Sequence, residues 1–253
     1  MDLKYLRYYE GDVSGDDPLW SDPKAYVTLN ALLFPGLQTE VARVKEKRRL
    51  NPAFLKRPEE VKEILEGIAC WFDRKAADHP DLHVSRVERL ADYQVMKTTG
   101  LLPSFISTST GGFLNAYQDK EGLVLMNICI PHGVPCLDFA ALMREGYEKA
   151  DEKEILLPPY LSVTFHEKTD LSAYEKITDR NGNPPAAVCD VSLSLCPFQK
   201  IPETEIPECD EEIYALLNAG KPLSPSQLEA YMRLKEGFRN AVRRVLEAAL
   251  SDS

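Results

Sequence analysis

The sequence predicts an α/β (α+β) chain, with helical segments at both ends and a largely antiparallel sheet system between them. Three observations carry that expectation. Val61, Ile64, Leu65, Ile68 and Phe72 recur at helical spacing in the first third, giving one apolar stripe. Leu228, Tyr231, Leu234, Phe238, Val242, Val245 and Leu246 do the same near the end. From about residue 84 the pattern changes to short runs rich in Val, Ile and Phe, separated by Gly, Pro and Asp, as strands are. At 253 residues the chain can bury a substantial core, as one large domain or as a compact domain with a helical attachment.

The first forty residues carry turn signals at Glu10-Gly11-Asp12, Gly15-Asp16-Asp17-Pro18 and Ser21-Asp22-Pro23, around a short apolar helix near Tyr26 to Phe34. A firmer helix begins at Pro58, a residue suited to the first helical position, and Glu59 and Glu60 favour the dipole there. Strands are expected over Ser104 to Ser109, Leu123 to Ile130, Pro135 to Phe139, Ile155 to Leu157, Tyr160 to Phe165 and Val188 to Leu195. Asp179-Arg180-Asn181-Gly182-Asn183-Pro184-Pro185 is dense in turn formers and joins the last two. Residues 199–223 are rich in proline and acid, with Ile213 to Leu217 apolar enough for a helical turn or two. Ser224-Pro225-Ser226-Gln227 then reads as an N-cap, a first-turn proline and a capping-box glutamine. The helix it opens must bury its stripe on its own domain or in a partner's groove. Residues 1–83 are thus expected as a helical N-terminal portion of the same domain, 84–200 as the sheet-bearing core and 201–253 as a C-terminal helical extension.

Charge and composition narrow the function classes. A net charge of −10 works against sequence-independent binding of phosphate backbones, so no nucleic-acid partner is expected. Lys45-Glu46-Lys47-Arg48-Arg49 is a local basic patch that reads as the solvated face of a helix. No segment approaches the ~20 apolar residues of a membrane span, and Met1-Asp2-Leu3-Lys4-Tyr5 lacks the basic flank and apolar core of a signal peptide. The chain as written reads as soluble and cytoplasmic. Six sparse cysteines, several in apolar runs such as Asn127-Ile128-Cys129-Ile130, suggest buried free thiols rather than a disulfide framework. His79 and His83 flank a proline, a poor setting for helical metal ligation, and no metal is expected.

The run Asp151-Glu152-Lys153-Glu154-Ile155-Leu156-Leu157-Pro158-Pro159 sets two carboxylates two residues apart at the mouth of an apolar strand. In extended backbone, side chains at i and i+2 leave the same face, so Glu152 and Glu154 point together. Like charges at that range repel, and a stretch keeping both calls for a cationic or electron-poor group between them. The same pair also fits a charged helix end, because Arg144 to Asp151 is rich in charge. Upstream, Ser107-Thr108-Ser109 follows Phe105-Ile106 and continues a strand whose small hydroxyl residues admit a ligand closely, or bond only to their own backbone. Gly111-Gly112-Phe113 gives a flexible rim, and Phe113 or Tyr117 can stack on a flat ring or belong to the core.

Arg86, in Val84-Ser85-Arg86-Val87, lies 21 residues before Ser107, and Ser107 lies 47 before Glu154. This order of Arg, Ser-Thr-Ser and Glu-x-Glu resembles the mono-ADP-ribosyltransferases of the arginine-modifying toxin type. The resemblance covers residues 84–165 closely and the helical lead-in only in outline. It implies the ADP-ribosyltransferase fold: two packed, mainly antiparallel sheets with a helical N-terminal portion and a C-terminal helix. It also implies NAD as substrate, no metal, and a target protein bearing an acceptor arginine, with or without a separate delivery subunit; signal-independent export stays open. By position, Glu154 takes the role of the glutamate that stabilises the ribosyl cation, and Glu152 that of the residue activating the acceptor. Ser107 orders the site, with Thr108 and Ser109 supporting the strand. Arg86 binds the phosphates through its planar donor fork, and Arg89 is near enough to take that role instead. Tyr147 resembles the aromatic residue of the acceptor-recognition loop. Two rival functions remain: an NAD glycohydrolase delivering ADP-ribose to water, and a non-catalytic protein-binding module on the same fold.

Overall fold

Apolar periodicity and turn chemistry divide the chain into elements that a computed structural model describes over residues 3–11, 15–113, 122–143, 153–197, 201 and 205–251. They cluster into two compact units, Met1–Trp71 with Phe198–Ser253, and Phe72–Pro197. The divisions fall near residues 71 and 197, against the expected 83 and 200. The N- and C-terminal stretches close into one helical unit because each supplies an apolar face that the other covers.

The helical unit holds α1 (Lys4–Glu10), α2 (Ala25–Leu33), α3 (Gln38–Lys45), α4 (Ala53–Lys56) and α5 (Pro58–Ala69). The C-terminal stretch adds α8 (Glu212–Asn218) and α9 (Pro225–Ser251). Helix α2 is apolar nearly all round and is buried over Val27, Thr28, Leu29, Asn30, Ala31, Leu32 and Leu33, so it forms the unit's centre. Helix α9 opens on the expected capping box: the Ser224 Oγ accepts the Gln227 N–H at 3.2 Å, and the Gln227 side-chain oxygen accepts the Ser224 N–H at 3.0 Å. Its stripe of Tyr231, Leu234, Phe238, Ala241, Val242 and Leu246 is buried, and the helix packs on α2 and α5. The helix thus finds its cover inside its own unit. Helix α1 was not expected; it precedes the first turn signal, burying Leu6, Tyr8 and Tyr9 and ending at Gly11.

Polar groups are also locked inside this unit. The Lys235 ammonium, 1% exposed, donates to the Gly36 carbonyl at 2.6 Å and to the Glu40 carboxylate, which is 0% exposed. The same carboxylate accepts the Tyr231 hydroxyl at 2.9 Å, and Tyr231 meets the Tyr214 hydroxyl at 2.9 Å. Burial pushes the Lys235 ammonium below the usual lysine range, with the Glu40 charge opposing it, and pushes both phenols well above theirs.

The second unit is a seven-stranded mixed sheet with helices α6 (Leu90–Thr99) and α7 (Phe139–Met143). The strands are β1 (Leu82–Arg89), β2 (Ile106–Ser109), β3 (Leu123–Ile130), β4 (Leu137–Asp138), β5 (Glu154–Leu157), β6 (Ser162–Glu167) and β7 (Ala187–Ser194). Their order is β4-β5-β2-β1-β3-β7-β6, and every pairing except parallel β3–β7 is antiparallel. Two packed sheets were expected, and the structure differs: one sheet is formed, in which the ladders β4-β5-β2 and β1-β3-β7-β6 run side by side. A single register pair, Ser85 with Ser109, joins them into one hydrogen-bonded sheet.

Alternation along these strands builds the core on one face. Val84, Val124, Met126, Ile128, Ile106, Ile155, Leu157, Cys189 and Val191 all belong to it, with Tyr93 and Met96 of α6 packed over them. Helix α6 was not expected either, and the run from Pro135 yields a two-residue strand before α7 takes over at Phe139. The six cysteines are free thiols; Cys136 and Cys189 are buried, whereas Cys70 is exposed. Among the described residues no helix is long and apolar enough to cross a membrane.

Candidate active site

The junction of the two ladders is where the residues singled out from the sequence meet. Strand β1 pairs with β3 along its whole length, from Leu82 opposite Ile130 to Arg89 opposite Leu123, so its position is fixed by the larger ladder. Strand β2 pairs along its whole length with β5, with Ser107 opposite Leu156, Thr108 opposite Ile155 and Ser109 opposite Glu154. Pro158 and Pro159 follow β5 directly, and a residue without an N–H cannot extend the ladder. Paired residues share a face. Ser85, Ser109 and Glu154 therefore form one row across three strands, on the face opposite the main core.

A hollow of about 260 Å³, open solvent included, lies where β1 and β2 part beside this row, bordered by residues of both strand faces: Ser85, Arg86, Val87, Ser107, Thr108, Ser109, Gly112 and Phe113. Segments 114–121 and 144–152, which follow Phe113 and precede Lys153, lie outside the described residues, and with them Glu152, Tyr117 and Tyr147. Glu154 is not one of the lining residues; it is 6% exposed, beside the hollow and opposite Ser109. Lys153, just before it, holds a positive φ of 47°, unusual for a residue with a side chain, and its carbonyl accepts the Thr110 N–H at 3.2 Å.

The three hydroxyls of Ser-Thr-Ser have different fates. Thr108 Oγ1 donates to the Ile155 carbonyl at 2.7 Å and ties β2 to β5. Ser109 Oγ accepts the Gly111 N–H at 2.9 Å and shapes the turn into the rim, where Gly112 adopts a φ of 89°. Ser107 lines the hollow, and among the described residues its hydroxyl has no hydrogen-bond partner.

The two arginines separate as well. Arg86 donates through Nη1 to the Ser107 carbonyl and through Nε to Glu88 Oε2, both at 2.6 Å, and Nη2 lies 2.6 Å from the same oxygen. Arg89 is 4% exposed; its Nη1 donates to Asp92 of α6 at 2.9 Å, and it is not among the lining residues. The structure thus brings Arg86, not Arg89, to the hollow. Glu88 was missed in the sequence, where a carboxylate two residues after an arginine on a strand reads as part of a solvated face, and Asp92 was missed with the helix α6 that carries it.

Phe113 lines the hollow and also packs edge-on against Tyr174, 6.1 Å between ring centres, in a small cluster with Val87, Leu125 and Val188. His79, the potential zinc ligand, has its ring nitrogens 2.7 Å from the Pro80 carbonyl and 2.8 Å from the Val134 carbonyl. Among the described residues no group of three or more His, Cys, Asp or Glu is placed to hold a metal ion.

No protein-family model matches the chain, and no curated protein does. Solved structures give partial likenesses. One is BECa, an ADP-ribosylating toxin of a binary enterotoxin of C. perfringens, solved with NADH: 16% identity, TM-score 0.45, covering 76% of this chain and 43% of that one. A second is the enzymatic component C2-I of the Clostridium botulinum C2 toxin, at 14% identity and TM-score 0.39, covering 77% and 43%. A third is Plx2a, an ADP-ribosyltransferase toxin from Paenibacillus larvae, at 11% identity and TM-score 0.37, covering 76% and 91%. The chain spans less than half the length of the first two proteins. At such identities and scores these likenesses decide neither family nor activity.

Proposed function

We propose that the chain transfers ADP-ribose from NAD to an arginine side chain of a target protein, releasing nicotinamide. The observation that carries this reading is the row Ser85–Ser109–Glu154, which gathers at one sheet junction three segments far apart in the sequence, as the Arg, Ser-Thr-Ser and Glu-x-Glu order requires. In this reading the bond between nicotinamide and ribose C1′ breaks with its electron pair leaving on nicotinamide, so positive charge grows on the ribose as in glycoside cleavage. Glu154 stabilises that charge and accepts the 2′-hydroxyl. Ser107, whose hydroxyl has no partner among the described residues, orders the sugar; Arg86 holds the phosphates; Phe113 supplies a flat apolar wall. A guanidinium nitrogen of the target then bonds to C1′ from the face opposite the departing nicotinamide, with inversion, and Glu152 takes its proton.

Mass spectrometry of a cell lysate incubated with the protein and isotopically labelled NAD tests the reading. The expected result is labelled ADP-ribose on arginine residues of a small set of proteins. Nicotinamide release without labelled protein would instead make the chain a glycohydrolase, and no release at all would leave it a binding module.

A further inference from the structure

The charged pair Arg86–Glu88 sits where β1 and β2 part. By strand alternation both residues point to the core face, beside Val84 and Met126, a costly place for charge unless it is paired. The Glu88 side chain is 2% exposed and that of Arg86 17%. Glu88 is itself anchored: its Oε1 accepts the Arg89 backbone N–H at 3.0 Å, while Oε2 takes Nε of Arg86 at 2.6 Å, with Nη2 at the same distance. Two donors on one carboxylate oxygen fix the plane of the guanidinium. With that plane fixed, Nη1 reaches the Ser107 carbonyl at 2.6 Å, two residues beyond the single β1–β2 register pair at Ser85 and Ser109.

We propose that Glu88 is a positioning residue of this site: it sets the Arg86 guanidinium and, through it, holds Ser107 and the Ser-Thr-Ser strand against β1. The inference rests on the site reading above for its catalytic consequence, but the clasp itself can be measured without turnover. A carboxylate beside the arginine also opposes an incoming anion, and a merely competing Glu88 would give the opposite sign when neutralised. The anchoring of Glu88 by the Arg89 N–H favours the positioning sense, since a buried, doubly held carboxylate does not step aside for a ligand.

The variant is Glu88→Gln, which keeps shape and removes the charge, compared with Arg86→Lys and the double variant, all assayed well below their melting temperatures. Two readouts are taken: hydrogen exchange of the Arg86 Nε–H by nitrogen-15 NMR, and KM and kcat for NAD by nicotinamide release. The expected results are exchange at least tenfold faster in Glu88→Gln, KM raised about tenfold with kcat within threefold, and a double variant no worse than Arg86→Lys alone. Unchanged exchange, a lowered or unchanged KM, or additive effects in the double variant overturn the proposal. If Glu88→Gln does not fold, Glu88→Asp, which keeps the charge and shortens the reach, must show the same faster exchange and raised KM. A wild-type chain that releases no nicotinamide while its Arg86 Nε–H is protected by Glu88 refutes the catalytic reading and leaves the clasp standing.

Discussion

Replacing Lys235 by methionine keeps a chain of similar length in α9 and removes the cation buried against Glu40. The Glu40 carboxylate, 0% exposed, then retains the Tyr231 hydroxyl, and its Oε2 has no hydrogen-bond partner among the described residues. Removing one partner of a buried pair costs about 3–5 kcal/mol. The expected loss at pH 7 is therefore about 3 kcal/mol or more. Trp20 and Trp71 both belong to the helical unit, so denaturant unfolding followed by tryptophan fluorescence reads this unit directly. Adding Glu40→Gln to Lys235→Met restores at least half of the loss, since no buried charge is left. A loss below about 1 kcal/mol at pH 7, or no recovery in the double variant, refutes the reasoning.

Three further outcomes follow from the sheet unit. Ser107→Ala leaves thermal stability within about 0.5 kcal/mol, because among the described residues the hydroxyl has no partner to lose, yet lowers nicotinamide release at least tenfold. Thr108→Val does the reverse in stability: it deletes the bond to the Ile155 carbonyl and costs about 1–2 kcal/mol in a melting experiment. Asp179 is the hub of the loop before β7. Burial alone would raise its pKa, but N–H donors from Asn183, Asn181 and Gly122 outweigh it and hold the carboxyl below the usual range. A depressed folded pKa gives stability that is present above the unfolded value of about 3.9 and lost as pH falls through the folded one. Asp179→Asn thus lowers the melting temperature at pH 7, and its difference from wild type closes below about pH 4.

Much of this architecture was legible in the chain because burial leaves a periodic trace. The run Leu123 to Ile130 is apolar at every position but Asn127, as a strand largely covered on both faces must be, and it is β3 from end to end. The capping box at Ser224 and Gln227 announced α9 because its reciprocal bonds need those residues at that spacing. What stayed hidden was short or polar. Helix α6 is ten residues long and turns only Tyr93 and Met96 into the core, while Asp92 is buried by its bond with Arg89. Helix α1 hides among tyrosines and charged residues that read as a turn-rich lead-in. Glu88 has no signature at all in one dimension, since a carboxylate two residues after an arginine is ordinary on a solvated strand. Only the divergence of β1 from β2 gives it a partner worth burying. Glu152 falls outside the described residues, and the extended backbone that the i, i+2 rule requires is interrupted at Lys153, whose φ is 47°.

The central claim is that Glu154, opposite Ser109 at the ladder junction, stabilises the ribosyl cation formed from NAD. Nicotinamide release by wild type and by Glu154→Gln, measured at saturating NAD on samples with matched melting curves, tests it most directly. The account requires a fall in kcat of about 100-fold or more, the range for removing one preorganised electrostatic partner of a transition state. Release within threefold of wild type would contradict it.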